Sequence, residues 1–336
     1  MTKLIAETAW HHEGDFKFMR DLVDNICQNT SAHVVKMHIT MDLDSYMSKD
    51  HESYETIRSW MLTEEQWTHL INIVRNSNKE LMLLLNDESA IKFASKHDPE
   101  MVELHSVCLN VPRLQQAILK YIDPATKIVI GVGGCSVSEI DLAIKKFHDR
   151  NLVLMFGFQN YPTKYQDVNL LKIRKIQKRY PQHEFGYADH TAWNEKNNEM
   201  ITLMVASNDM NYVEKHLTIK YGEERCDYSA AISFDQFNQL FQKLEILNQL
   251  NGNGSLKLNI AEEKYSKFGP MKMAAVAIRN LKIGDTFLEN SVDFIRTSQV
   301  TNISQVEIIE SYGKIINRNI TKGEVLKKEC FSENEN

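Results

Sequence analysis

Paired cysteines, long apolar runs and an excess of basic charge are all missing from this 336-residue chain. The five cysteines (Cys27, Cys108, Cys135, Cys226, Cys330) are odd in number, scattered, and never in CxxC spacing. That argues against a disulfide scaffold or a thiolate zinc site and fits reduced thiols in the cytoplasm. No apolar run approaches the ~20 residues that a membrane-spanning helix needs. The opening MTKLIAETAW carries no apolar h-region, so neither a membrane partner nor a secretory signal is expected. With 39 basic against 45 acidic residues the formal net charge is −6, which speaks against a nucleic-acid surface. What remains is ordinary globular composition, 43% hydrophobic and 25% charged. The length suits one large barrel with a small extra module, or two ordinary domains. A soluble, cytoplasmic protein is the expectation.

Short β-branched, apolar runs recur along the first three-quarters of the chain: Leu4–Glu7, His33–His38, Leu81–Leu85, Met101–His105, Lys127–Gly131, Leu152–Phe156, Glu184–Tyr187 and Asn211–Lys215. Several are too apolar to keep one face in water, as in parallel strands covered on both sides. Helical patterns lie between them, among them FKFMRDLVDNICQN, TEEQWTHLINIVRN, DESAIKFASKH, VSEIDLAIKKFHDR, VNLLKIRKIQKRY, NNEMITLMVASND and FDQFNQLFQKLEIL. Thr63 with Gln66, and Ser136 with Glu139, have capping-box spacing. Eight strand–helix units over about 250 residues predict a (β/α)8 TIM barrel. A doubly wound open sheet is the alternative that the same alternation permits. The barrel is expected over 1–250 and a Gly/Asn-rich linker over 251–271. A small β-rich module should follow over 272–336, built from runs such as KMAAVAI, VDFIRT and YGKIINRNI. Sixty residues are nearly too few to be stable alone, so this module should dock, most plausibly on a second copy of the barrel.

In such a barrel the active site gathers at the C-terminal strand ends. Those ends offer Glu7, Lys36 with His38, Asn86, Ser106, Gly133 with Gly134, Gln159 with Tyr161, Asp189 with His190, and His216. A single strand-end histidine is weak evidence. Two on neighbouring strands about 4.8 Å apart could share one divalent ion, so His190 and His216 form the candidate metal pair.

The same segments resemble the sialic acid synthase family. IAETAWHHEGD is similar to its opening IAEIGxNHxGD, VVKMHIT to VKxQT, QNYPTKYQDVNL to xxYPTPxxxxNL, FGYADHT to GYSDHT, and VEKHLTI to IEKHFTL. The tail resembles the SAF (antifreeze-like) module that ends those enzymes, a small β-rich domain of β-clip type. The resemblance implies a metal-dependent synthase, with Mn2+ or Mg2+, that condenses phosphoenolpyruvate with an acylamino sugar to a sialic-acid-like nonulosonate. It also implies a domain-swapped homodimer. By the same resemblance His190 and His216 hold the metal, and Glu7 is a base or orients the reacting water. Lys36 meets the phosphate, Tyr161 and Asp227 lie near the sugar hydroxyls, and Arg296 reaches the acyl group of the partner's sugar. His38, Ser106, Gln159 and Asp189 are further candidate substrate contacts.

Departures from the pattern gather on the phosphate side. Glu103 stands where the family's KIPSG or KIGSG lysine belongs, Gly131 replaces a serine, Gln159 an asparagine, and LLND stands for STPF. Three readings stay open: a synthase with a remodelled phosphate site, metal-dependent aldol-type chemistry on a carbonyl compound without phosphoenolpyruvate, or a catalytically silent sugar-binding protein.

Overall fold

The computed structural model describes residues 1–157 and 160–331; Gln159 lies outside the described residues. Eight parallel strands close into one barrel in chain order, so the open-sheet alternative is ruled out. They are β1 (Lys3–Glu7), β2 (Val34–Ile39), β3 (Glu80–Leu85), β4 (Met101–Leu104), β5 (Lys127–Gly131), β6 (Leu152–Phe156), β7 (Glu184–Ala188) and β8 (Tyr212–His216). Each coincides with a run picked out by its β-branched, apolar character. Closure is made by β8 against β1, with Glu7 opposite His216. Thr63 and Ser136 do form capping boxes, opening the helices Glu64–Arg75 and Val137–Lys146. The helix Pro112–Tyr121, outside the expected set, starts with a proline at its first turn, where a missing N–H costs nothing.

Strand alternation sorts the barrel interior into layers. At the N-terminal end Lys3 pairs with Glu80 at 2.5 Å, and Lys127 with Glu184 at 2.6 Å. Above them Ile5, Val34, Met82, Met101, Val129, Val153 and Tyr212 form an apolar plug. Each such fully buried aliphatic contributes about 1.5–3 kcal/mol before entropy is counted. Two residues further along the same strand faces come Glu7, Lys36, Glu103 and Glu214, all buried. The plug thus gives this charged layer a dry floor.

Glycine matters at one point of the wall. A Cβ on Gly131 would lie 2.5 Å from the backbone nitrogen of Ser106 and 3.2 Å from its Cα. The segment after β4 therefore packs directly on the end of β5. Gly131→Ala should cost about 1–3 kcal/mol by overpacking against backbone; an unchanged urea midpoint would show that the His105–Ser106 segment yields freely.

The first compact unit ends at Asn251 and a second begins at Gly252. Within the span expected as a linker lies a helical turn, Ile260–Tyr265, opened by the Asn259 capping box. The second unit has its own core, including Ala275, Leu281, Phe287, Ile316, Leu326 and Phe331. Its two regular strands, β9 (Ala274–Ala277) and β10 (Val292–Ile295), pair antiparallel. Other expected β-runs contribute only isolated bridges, such as Leu281 with Ile320 and Thr286 with Ile315. Among the described residues no helix is long and apolar enough to cross a membrane.

Candidate active site

A cavity of about 310 Å³ opens at the C-terminal end of the barrel, lined by all eight strands or the loops that follow them. Its inner wall is an ion cluster. The Lys36 ammonium lies 2.7 Å from Glu103, 3.0 Å from Glu214 and 3.4 Å from Glu7. All four side chains are almost wholly buried, so their charges act through a weakly screening medium. Burial alone would drive the Lys36 proton off, but Glu103, Glu214 and Glu7 outweigh it and hold the amine charged. For Glu214, burial and the charge of Glu7 push the carboxyl well above its usual range against the pull of Lys36. Burial likewise raises Glu103, against Lys36 and with help from Glu7. Burial would also raise Glu7, but Lys36 and hydrogen bonds from Glu214 and His216 hold it well below the usual carboxylate range. Of the three carboxyls the cluster thus favours Glu7 as the charged one, beside the Lys36 cation, and disfavours charge on Glu214 and Glu103.

Around it stands a shell of imidazoles. Burial holds His11, His12, His38 and His190 down to about 4, and His105 to about 3, so all five are neutral at pH 7. Neutral imidazoles buried in the native state make folding acid-sensitive. Between pH ~6.5, where unfolded histidine titrates, and about 4, where His12 and His38 do so in the fold, only the unfolded chain takes up their protons. Stability is thus constant above that window and falls as pH drops through it. The expected loss is on the order of 3 kcal/mol per such histidine, visible as a falling urea midpoint from pH 7 to 4.5. A flat midpoint would contradict their burial as neutral groups.

His190 and His216 come together as expected, their rings edge to face with centroids 4.7 Å apart. His216 Nε2 donates to Glu7 at 3.0 Å. That bond orients the ring and leaves Nδ1 buried and without a hydrogen-bond partner among the described residues. Glu7, Glu214 and His216 also present ligand atoms within 4.8 Å of one another. A carboxylate-oriented histidine, the neutral His190 imidazole and carboxylate oxygens close by are the donor set that a divalent cation such as Mn2+ or Mg2+ takes, so these residues fit a metal.

The outer wall is aromatic and polar. Trp10 lies against His38, ring centroids 5.0 Å apart, and against His12 at 5.6 Å. The Tyr161 ring sits 5.6 Å from that of His190, and its hydroxyl donates to the backbone carbonyl of Asp227. Asp227 itself adopts a left-handed backbone (φ 64°), and its carboxylate accepts from Trp10 N–H at 3.2 Å. These bonds tie the loops after β1, β6 and β8 into one rim. His38 accepts from Asn86 at 2.8 Å, which holds its ring beside the cavity.

Of the residues singled out in the sequence, Glu7, Lys36, His38, Ser106, Tyr161, His190, His216 and Asp227 all line this cavity. Asp189 does not. It is fully buried, one oxygen accepting from Thr191 N–H and hydroxyl and the other from Thr202 and Lys215. With both oxygens engaged it holds the turn carrying His190, which corrects its assignment as a substrate contact. Lys36 is corrected too: its ammonium is taken up by three carboxylates instead of standing open to a phosphate. Arg296 belongs to the second unit, where its guanidinium donates to the Pro270 carbonyl. Glu214, His105 and Trp10 were missed. Glu214 was legible by alternation, since Tyr212, Glu214 and His216 must share the inward face of β8.

A closed (β/α)8 barrel with buried carboxylates and paired histidines at its C-terminal mouth defines an enzyme-type site of the kind that binds a divalent cation beside a polar substrate. The chain belongs to the NeuB family, whose model matches residues 25–256. The N,N'-diacetyllegionaminic acid synthase of Legionella pneumophila is 24% identical, covering 96% of this chain and 92% of that protein. In fold this chain is similar to a putative spore coat polysaccharide biosynthesis protein E from Chromobacterium violaceum, with a TM-score of 0.80 and 15% identity, covering 99% of this chain and all of that one. The N-acetylneuraminic acid synthetase of Leptospira borgpetersenii matches 78% of this chain and 89% of its own with a TM-score of 0.70 at 19% identity.

Proposed function

We propose that the cavity is the active site of a metal-dependent synthase that forms a carbon–carbon bond at the open-chain aldehyde of an acylamino sugar, giving a nonulosonate-like product. The observation that carries this is the meeting of His190, His216 and Glu7 at the floor of one cavity rimmed by Tyr161, Asp227 and Trp10. Membership of the NeuB family and the named synthases among its relatives support it.

His190 and His216 would hold the metal, with Glu7 orienting His216 and Glu214 at hand. When bound, such an ion polarises the aldehyde and so favours attack at its carbon. Glu7 is placed to accept or direct a proton at the metal side of the cavity. Tyr161 and Asp227 orient sugar hydroxyls, and the Trp10 face covers the sugar ring. His38 and Ser106, which line the cavity, are proposed as further substrate contacts, as is Gln159, which lies outside the described residues. The second unit is, in this reading, a module of the SAF type. It would serve a partner's barrel in a homodimer, with Arg296 directed to the sugar's acyl group.

Calorimetry of a panel of 2-acetamido hexoses against the full chain, with and without Mn2+, tests the reading. Binding of at least one sugar that strengthens tenfold or more with Mn2+ is expected. Indifference of every sugar to the metal would sink it.

A further inference from the structure

We infer that the carbon donor at this site is an enolisable carbonyl compound that carries no phosphate. The inference rests on the reading above and specifies its second substrate.

Among the described residues that line the cavity, Lys36 is the only lysine or arginine. Its ammonium is already ion-paired with Glu103, Glu214 and Glu7 at 2.7–3.4 Å. A phosphate dianion would have to displace one of these carboxylates and then lie beside all three in a buried setting, where like charges repel strongly. The ammonium is already matched by Glu7, the carboxylate that the cluster favours in its charged form, so it has no unpaired charge to offer a dianion.

At positions 131 and 188 the wall carries no hydroxyl. At Gly131 the space that a side chain would occupy is filled by the Ser106 backbone, 2.5 Å from an ideal Cβ. Ala188 contributes a methyl where the resembled GYSDHT motif has a serine, and Met155 and Phe156 complete that side of the cavity. Methyl, thioether and ring surfaces suit a small carbonyl compound and give a phosphate no donors.

The implied step is an aldol addition, balanced without a co-reactant. Glu7 takes a proton from the carbon next to the donor carbonyl, and the resulting enolate carbon bonds to the aldehyde carbon of the sugar. The aldehyde oxygen takes the electron pair of its C=O bond and then that proton back from Glu7. No water is consumed and no phosphate is released.

Donor activation is measurable without the sugar. The full chain with Mg2+ is incubated in D2O with hydroxyacetone and, separately, with pyruvate, and deuterium at the carbon next to the carbonyl is followed by mass spectrometry. Exchange at least tenfold above the metal-free protein is expected for one of the two. Phosphoenolpyruvate, titrated by calorimetry with Mn2+, should bind no tighter than millimolar to the wild type. It should bind at least tenfold tighter to Glu103→Lys, or to Glu103→Gln if the lysine variant does not fold. Micromolar binding of phosphoenolpyruvate to the wild type, or phosphate release from it with any acylamino sugar, overturns the inference. So does failure of both carbonyl compounds to exchange. If exchange proceeds while every acylamino sugar fails to bind, the donor assignment stands and the acceptor reading fails.

Discussion

Replacing Lys36 by methionine is expected to remove about 3–5 kcal/mol of stability, the largest loss from any single substitution in the barrel mouth. The side chain is similar in length and the hole is filled, so the loss measures charge. Three buried carboxylates within 3.4 Å of the ammonium lose their shared cation. For a domain of this size the melting temperature should fall by roughly ten degrees. The deficit has a pH signature. Glu103 and Glu214 already sit above the usual carboxylate range because burial disfavours their charged forms. Without Lys36 they would rise further. A carboxyl raised in the fold contributes its stability below the unfolded value and loses it as pH rises, so the variant should recover part of its deficit between pH 7 and 5. Wild type, with its neutral histidines, weakens over the same range. Urea midpoints at the two pH values decide the matter: a deficit that grows on acidification would mean that Lys36 is not what keeps the glutamates in place.

The second large effect concerns metal affinity. His190→Ala and His216→Ala should each weaken Mn2+ binding by more than a hundredfold, because each removes an imidazole proposed to contact the cation directly. Glu7→Gln should weaken it by about ten to a hundredfold, since Glu7 sets the orientation of His216. The order matters more than the sizes. If Glu7→Gln proves worse than His190→Ala, the ion sits among Glu7, Glu214 and His216, whose ligand atoms lie within 4.8 Å of one another, and not between the two histidines. Unaltered affinity in all three variants would remove the metal from this site altogether. Far-ultraviolet circular dichroism of each variant separates lost ligation from lost fold.

Much of this was legible before any coordinates. Parallel strands buried on both faces must be written as near-continuous apolar runs, so all eight could be located to within a residue or two, and barrel strand ends then point to the mouth. The spacing of Asp189, His190 and His216 was equally visible, but not which way each side chain turns. At the turn after β7 one residue faces the cavity and its neighbour faces the helix Asn198–Ala206, and only the partners Thr191, Thr202 and Lys215 reveal that Asp189 is the latter. The fate of Lys36 was hidden for a different reason. Its three carboxylate partners come from β1, β4 and β8, so their convergence depends on barrel register. The terminal unit was read as more regularly stranded than it is, because alternating short runs and turns look alike whether they pair along a ladder or touch at single bridges.

The close approach of Gly131 to the Ser106 backbone carries a consequence for descent. A hydroxyl cannot be placed at position 131 while the chain after β4 occupies its space, and that chain has no reason to withdraw while position 131 is bare. The two states are coupled, and every single step between them crosses a less stable molecule. Such an interlock makes the two places change together or not at all, so a side chain at position 131 is expected only with a chain after β4 that runs further out.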